Sequence, residues 1–253
     1  MGLFGNLFKG KKEVDLPPFN LSHLVVDMHS HLIPGIDDGS RSMDETIAML
    51  AKFESLGFKK VITTPHIMSD FYRNTPEIIK EGLEMVRKTA QQLNLSIQID
   101  AAAEYYFDDA LMKMIVDKKE LLTFGEHYLL FEFSMHDKPD HIEELYFELF
   151  TQQYKPVLAH FERYPYFHGS VKQAADWRAK GINIQVNLNS LSGHYGPHIR
   201  KQAELLIDEQ MVDFVATDCH RMDHLMLLER SLPLKYMHKL EQLPLKNQAL
   251  LLH

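Results

Sequence analysis

Residues 24–45 read LVVDMHSHLIPGIDDGSRSMDE, and the fold is decided there. The stretch from Leu24 to Met28 is short, apolar and rich in β-branched residues, broken only by Asp27, as a buried strand is. It ends in His29-Ser30-His31, and Pro34-Gly35 opens a polar loop that runs to Gly39. Ser42-Met43-Asp44-Glu45 then forms a capping box, Ile47, Leu50 and Phe53 repeat at helical spacing, and Gly57 closes the run. Strand, polar loop and helix together are one unit of an alternating α/β fold.

The unit recurs on the C-terminal side. After the strand at 24–28, apolar runs predict strands at 60–64, 96–103, 128–133, 156–159, 182–188 and 213–217. Pro76 starts a second helix with an apolar stripe of Ile79, Leu83 and Val86. Further helical patterns cover roughly 140–153, 170–180, 198–210 and 222–231. Strands that alternate with helices pair in parallel, and at 253 residues closure into a TIM-like (β/α) barrel is favoured over an open doubly wound sheet. Toward the N-terminus the pattern stops. Residues 1–22 read as an arm, Gly-broken and apolar up to Phe8 with Lys9, Lys11 and Lys12 after it, ahead of one barrel domain at 23–253. Such an arm is a frayed terminus first and a contact for an anionic membrane or a partner second.

Composition narrows the function. No run approaches the roughly 18 apolar residues that span a bilayer, and no secretory signal is visible, so a cytoplasmic location is expected. The single cysteine, Cys219, cannot form an internal disulfide. A net charge of -8 argues against a nucleic-acid partner. Neither a P-loop nor a dinucleotide fingerprint follows any strand. The Gly-x-Ser-x-Gly elbow of serine hydrolases is missing too. A cysteine-based phosphatase needs an arginine six positions after its cysteine; counting from Cys219 reaches Leu225.

The strands are apolar, yet they run into metal-ligand residue types. His29 and His31 follow the first, His66 the second, Glu104 the third, Glu132 lies in the fourth, His160 follows the fifth, and Asp218 and His220 follow the seventh. In a parallel barrel all these ends open on one face, which carries the active site. Residues two apart point the same way in a strand, so His29 with His31, and Asp218 with His220, grip from one side while Cys219 points away. Asp38, in the loop after Pro34, can bend back over the site. Imidazole and carboxylate without thiolate suit manganese, iron or zinc. His136, His168, His194 and His224 stand near loops that can line the mouth, whereas His23, His127, His141, His198, His238 and His253 read as surface or helix-side residues.

These motifs resemble the polymerase and histidinol phosphatase (PHP) superfamily: His29-Ser30-His31, Thr64-Pro65-His66, Glu104 in AEYYF, Glu132 in FEFS, AHFERY at 159–164 and Thr217-Asp218-Cys219-His220. Within it the chain is most similar to the bacterial manganese-dependent protein-tyrosine phosphatases of capsule and exopolysaccharide loci, over about residues 24–250. The resemblance implies a distorted seven-stranded (β/α) barrel and three divalent metal ions, manganese first and iron or zinc as alternatives. One ion would sit among His29, His31, Glu104 and Asp218. A second would take Glu104, Glu132 and His160, and a third Asp38, His66 and His220. Arg163 matches the arginine that binds phosphate. The second phosphate arginine of that family is replaced here by Leu225, with Arg221 or Arg41 as substitutes.

The expected chemistry is in-line attack by a metal-bridging hydroxide on a phosphomonoester, with Arg163 neutralising the phosphoryl oxygens. His66 and His220 are candidates to protonate the leaving group. The resemblance implies a phosphotyrosine protein as substrate, a bacterial tyrosine kinase that controls polysaccharide export. A small-molecule phosphatase of the histidinol-phosphate type, a nuclease-like enzyme and a non-catalytic metal-stabilised scaffold are the competing readings.

Overall fold

A computed structural model describes residues 16–252, so the segment 1–15 of the expected arm and His253 lie outside the described residues. The element order is β1 Val26–Asp27, α1 Met43–Ser55, β2 Lys60–Thr63, β3 His66–Ile67, α2 Pro76–Gln92, β4 Gln98–Ala101 and β5 Glu104–Tyr106. Then come α3 Asp109–Val116, β6 Tyr128–Glu132, α4 Ile142–Thr151, β7 Lys155–Leu158, α5 Lys172–Ala179 and β8 Asn183–Asn187. The chain closes with α6 Pro197–Asp208, β9 Phe214–Ala216, α7 Met222–Ser231 and α8 Lys235–Lys239, with short 3-10 turns between.

Local chemistry sets these bounds. Ser42 Oγ accepts the Glu45 N–H at 3.2 Å, and Glu45 reaches back to the Arg41 N–H at 3.0 Å, one residue earlier than in the usual capping box. Thr75 caps α2 with Pro76 in its first turn. The reading of the sequence missed α3, whose signal is Asp108: its Oδ1 accepts the Leu111 N–H at 2.8 Å, ahead of the buried pair Leu111 and Ile115.

Every strand pair is parallel, as expected for an α/β chain. Of the expected seven-stranded (β/α) barrel, the coarser part is seen: an α/β fold with a curled parallel sheet. The strands form a curled parallel arrangement divided into a three-stranded sheet, β1-β2-β4, and a six-stranded sheet, β3-β5-β6-β7-β8-β9. Two expected strands are cut at Thr64-Pro65 and at Ala102-Ala103 and resume beyond their expected ends as β3 and β5. Pro65 has no N–H to give the ladder. Register survives the cut, because Thr63 pairs with Ala101 and His66 with Glu104. The first strand is shorter than expected, since Val25 has φ +66° and leaves the extended region. At the other edge an isolated parallel bridge joins Ser30 to Cys219.

Burial falls into two zones. A large outer cluster packs the helices on the strands. A smaller inner one, with Val26, Met28, Ile62, Ala102, Leu130, Val157, Phe214 and Ala216, fills the concave side and is closed below by Phe124 and Leu250. Phe19 and Leu21 are buried in the outer cluster, and the Phe19 N–H donates to Leu232 O at 3.0 Å, so the chain is docked from there on. Among the described residues no helix is long and apolar enough to cross a membrane.

Candidate metal centre

The strand period places the ligands. Ala102, Leu130 and Ala216 face the inner cluster, and two residues further on the same faces carry Glu104, Glu132 and Asp218. His160 directly follows Ala159, and its backbone is left-handed at φ +33°; Asp218 is left-handed too, at φ +50°. Non-glycine residues rarely hold this conformation, and where they do the neighbourhood is often a functional one. Cross-strand register does the rest, since His66 lies directly beside Glu104.

All nine side chains meet in one network. His29 Nε2 is 3.2 Å from Glu104 and 3.4 Å from Asp218. His31 Nε2 is 3.4 and 3.5 Å from the same two carboxylates. His160 Nε2 is 3.0 Å from Glu104 and 3.6 Å from Glu132. His66 faces two ways, with Nδ1 at 3.2 Å from both Glu104 and Glu132 and Nε2 at 3.6 Å from Asp38. His220 Nε2 stands 3.4 Å from Asp38, and its Nδ1 is 3.4 Å from Asp218. Glu104 thus touches four imidazoles. Three groupings bring ligand atoms within 4.8 Å of one another: His29, His31 and Glu104; His66, Glu104 and Glu132; and His31, Asp38, His66 and His220. They overlap the expected sets but draw His66 into the second and His31 into the third.

A second layer orients the rings. The Nδ1–H of His29 donates to Gln185 Oε1 at 3.2 Å, and that of His31 to Asp37 Oδ2 at 2.8 Å. Each bond leaves Nε2 with its lone pair turned to the centre. Gln185 Oε1 also accepts the His160 backbone N–H at 2.8 Å, its Nε2 donates to Asn187 Oδ1, and Asn187 donates to Asp218 Oδ2, both at 2.8 Å. Asp37 further accepts the backbone N–H groups of His66 and Gly39. Gly39 permits this fold-back, since a Cβ there would lie 2.3 Å from His31 O.

The arrangement fits divalent cations. Donors that share one ion at ~2.1 Å stand about 3.0–3.5 Å apart, as these do. The Nε2 atoms of His29 and His31 face each other at 3.3 Å, and a cation between them satisfies both lone pairs. Burial disfavours every charge here, yet opposite charges outweigh it. His29 is raised by Glu104 and Asp218, and His31 well above its ordinary range by Asp37 foremost. Glu104 and Asp218 are held well below the usual carboxylate range despite burial, in both cases by His29 foremost among their neighbours. Against its burial, Asp37 is lowered to about 2, first by His31. The same charges favour the carboxylate forms of Glu104 and Asp218, the forms that bind cations.

A cleft of about 640 Å³ opens above the cluster. Arg163 borders it: its Nη1 is 3.2 Å from Asp218 Oδ2, and its guanidinium lies 4.7 Å over the Tyr195 ring. Glu162, its neighbour in sequence, is fully buried and engaged with Ser190 and the Asn187 N–H. Leu225 is buried in the core, while Arg221 lines the cleft; Arg41 pairs with Glu45 on the surface, beside a neighbouring depression. Of the four loop histidines, His136, His194 and His224 border the cleft, whereas His168 bonds to the Glu162 carbonyl. Cys219 is buried and turned toward Met49. The reading of the sequence passed over Asp37, Gln185 and Asn187. Strand 182–188 carried a signal for the last two, because its polar residues alternate with Ile184 and Val186.

The sequence profile of the family described as capsular polysaccharide synthesis, CpsB/CapC, matches residues 25–227. The tyrosine-protein phosphatase CpsB of Streptococcus pneumoniae is 30% identical over 206 residues, 79% of this chain and 84% of that protein. The tyrosine-protein phosphatase YwqE of Bacillus subtilis is 26% identical over 197 residues, 78% and 77% of the two chains. A crystal structure from the pair YwqE and CpsB, described as unique metal-dependent tyrosine phosphatases, has a TM-score of 0.76 at 24% identity, covering 89% of this chain and 94% of that one.

Proposed function

The chain belongs to the CpsB/CapC family of capsular polysaccharide synthesis, and on that premise we propose that it is a metal-dependent protein-tyrosine phosphatase. Its substrate would be a phosphotyrosine protein, a bacterial tyrosine kinase in polysaccharide biosynthesis, met in the cytoplasm. The observation that carries the reading is the closed network of imidazoles and carboxylates around Glu104. We assign three ions to it, manganese by preference. His29, His31, Glu104 and Asp218 hold one, Glu104, Glu132 and His160 another, and Asp38, His66 and His220 the third. Such ions, when bound, bring the pKa of a bound water toward neutrality and offset charge on phosphoryl oxygens.

The chain's own residues do the rest. Arg163 orients the phosphate from the rim, and Arg221, which lines the same cleft, would serve as the second guanidinium. A phenol has a pKa near 10, so the leaving group needs little help. His66 and His220, at 13% and 15% side-chain exposure, are the less buried imidazoles of the cluster, and the ring nitrogen that an ion does not take would be the one to deliver that proton. The unchanged register across Pro65 also supports reading the two sheets as arcs of one distorted seven-stranded barrel.

The test pairs manganese content per chain with hydrolysis of a phosphotyrosyl peptide, histidinol phosphate and single-stranded DNA. Bound ions and cleavage of the phosphopeptide are expected, with His160→Ala losing at least ~100-fold in kcat/KM. Cleavage of histidinol phosphate alone refutes the substrate, and full activity of His160→Ala refutes the ligand set.

A further inference from the structure

The lining of the cleft mixes two chemistries. Arg163, Arg221 and His194 contribute to it. The turn at residues 68–72 adds Met68, Phe71 and Tyr72 to the same cleft. This turn is braced. Met68 and Tyr72 exchange backbone hydrogen bonds of 2.9 and 3.0 Å. Arg73 Nε donates to Ser69 O at 2.8 Å, and Asp108 accepts the Ser69 N–H at 3.2 Å. Asn74 donates to Ile36 O and His66 O at 2.9 and 2.8 Å. Tyr72 lies nearly flat on His66, with centroids 5.3 Å apart and an angle of 12°. Phe71 stands out because it is 73% exposed on this fixed support. A single exposed apolar residue is ordinary on a protein surface. A phenyl ring held out by a braced turn, in a cleft that it shares with two guanidinium groups and the imidazole–carboxylate cluster, is placed to meet a ligand.

We propose that Phe71 is a specificity-determining residue that selects aryl over alkyl phosphomonoesters by packing its ring on the phenol ring of the substrate. The inference rests on the phosphomonoesterase reading above. With the phosphate drawn to the arginines and the cluster, the phenol ring of the substrate is left to the rest of the same lining, to which Met68, Phe71 and Tyr72 belong. An aliphatic ester has no ring face to offer there. Aromatic pairs of this kind contribute enough for a change of about fivefold in a binding constant.

The experiment measures inhibition constants of phenylphosphonate and methylphosphonate, which are not hydrolysed, on the manganese-loaded full chain with p-nitrophenyl phosphate as reporter. Phe71→Ala is expected to weaken phenylphosphonate about fivefold and methylphosphonate less than twofold, with kcat unchanged and Phe71→Tyr restoring the difference. Equal effects on both inhibitors, or none on either, overturn the role of Phe71 while leaving the phosphatase reading in place. Absence of turnover and of phosphonate binding in the wild type overturns that reading itself, and the inference with it. The side chain is exposed, so a melting curve matching the wild type is expected and guards the comparison.

Discussion

The inner face of the strands has two storeys. The lower holds Val26, Ile62, Leu130, Val157 and Phe214. The upper, two residues beyond Ala102, Leu130 and Ala216 of the same inner cluster, holds Glu104, Glu132 and Asp218 with the imidazoles around them. Apolar burial holds the lower storey; it has no direction and tolerates swaps that keep volume. Directional bonds hold the upper one, where each donor has one acceptor and a buried orphan is costly. Two residues along a strand thus separate what stabilises the protein from what would make it react.

Substitutions can break that division. Glu104→Ala removes the carboxylate shared by four histidines, and kcat/KM should fall by at least ~1000-fold with loss of bound manganese. Retention of more than a tenth of the activity would sink the idea of a shared ligand. Leu130→Ala, one step below, should cost about 3 kcal/mol in denaturant unfolding, roughly a hundredfold in the folding equilibrium. Activity per folded molecule should stay within about twofold, and a large drop in kcat would show that the storeys are coupled. The smallest effect is expected from Asp37→Asn, which keeps the shape but removes the charge behind His31. Manganese affinity should weaken about 10–100-fold by titration with the fold unchanged. An unaltered affinity would confine the upper storey to its direct ligands.

How far the sequence disclosed this also differs by storey. Strand period and the His-x-His and Asp-x-His pairs made the convergence of the upper side chains readable, because side chains two apart must share a face. The supports were harder to see. Asp37 and Asp38 are adjacent and alike, and only the fold-back at Gly39 decides which is buried behind His31 and which faces His66 and His220. Gln185 and Asn187 look like surface amides until both faces of β8 prove buried. The split strands follow from Pro65, a visible residue whose effect on the ladder depends on what pairs with it. The helix α3 has only eight residues, too few for periodicity to speak.

The relay from Gln185 through Asn187 to Asp218 has a practical consequence. Because protein atoms already aim the imidazoles of His29 and His31, those rings are held for an incoming cation before it arrives. A site so prepared would be expected to lose and regain its ions under mild chelation with the fold intact, and far-ultraviolet circular dichroism before and after chelation checks it.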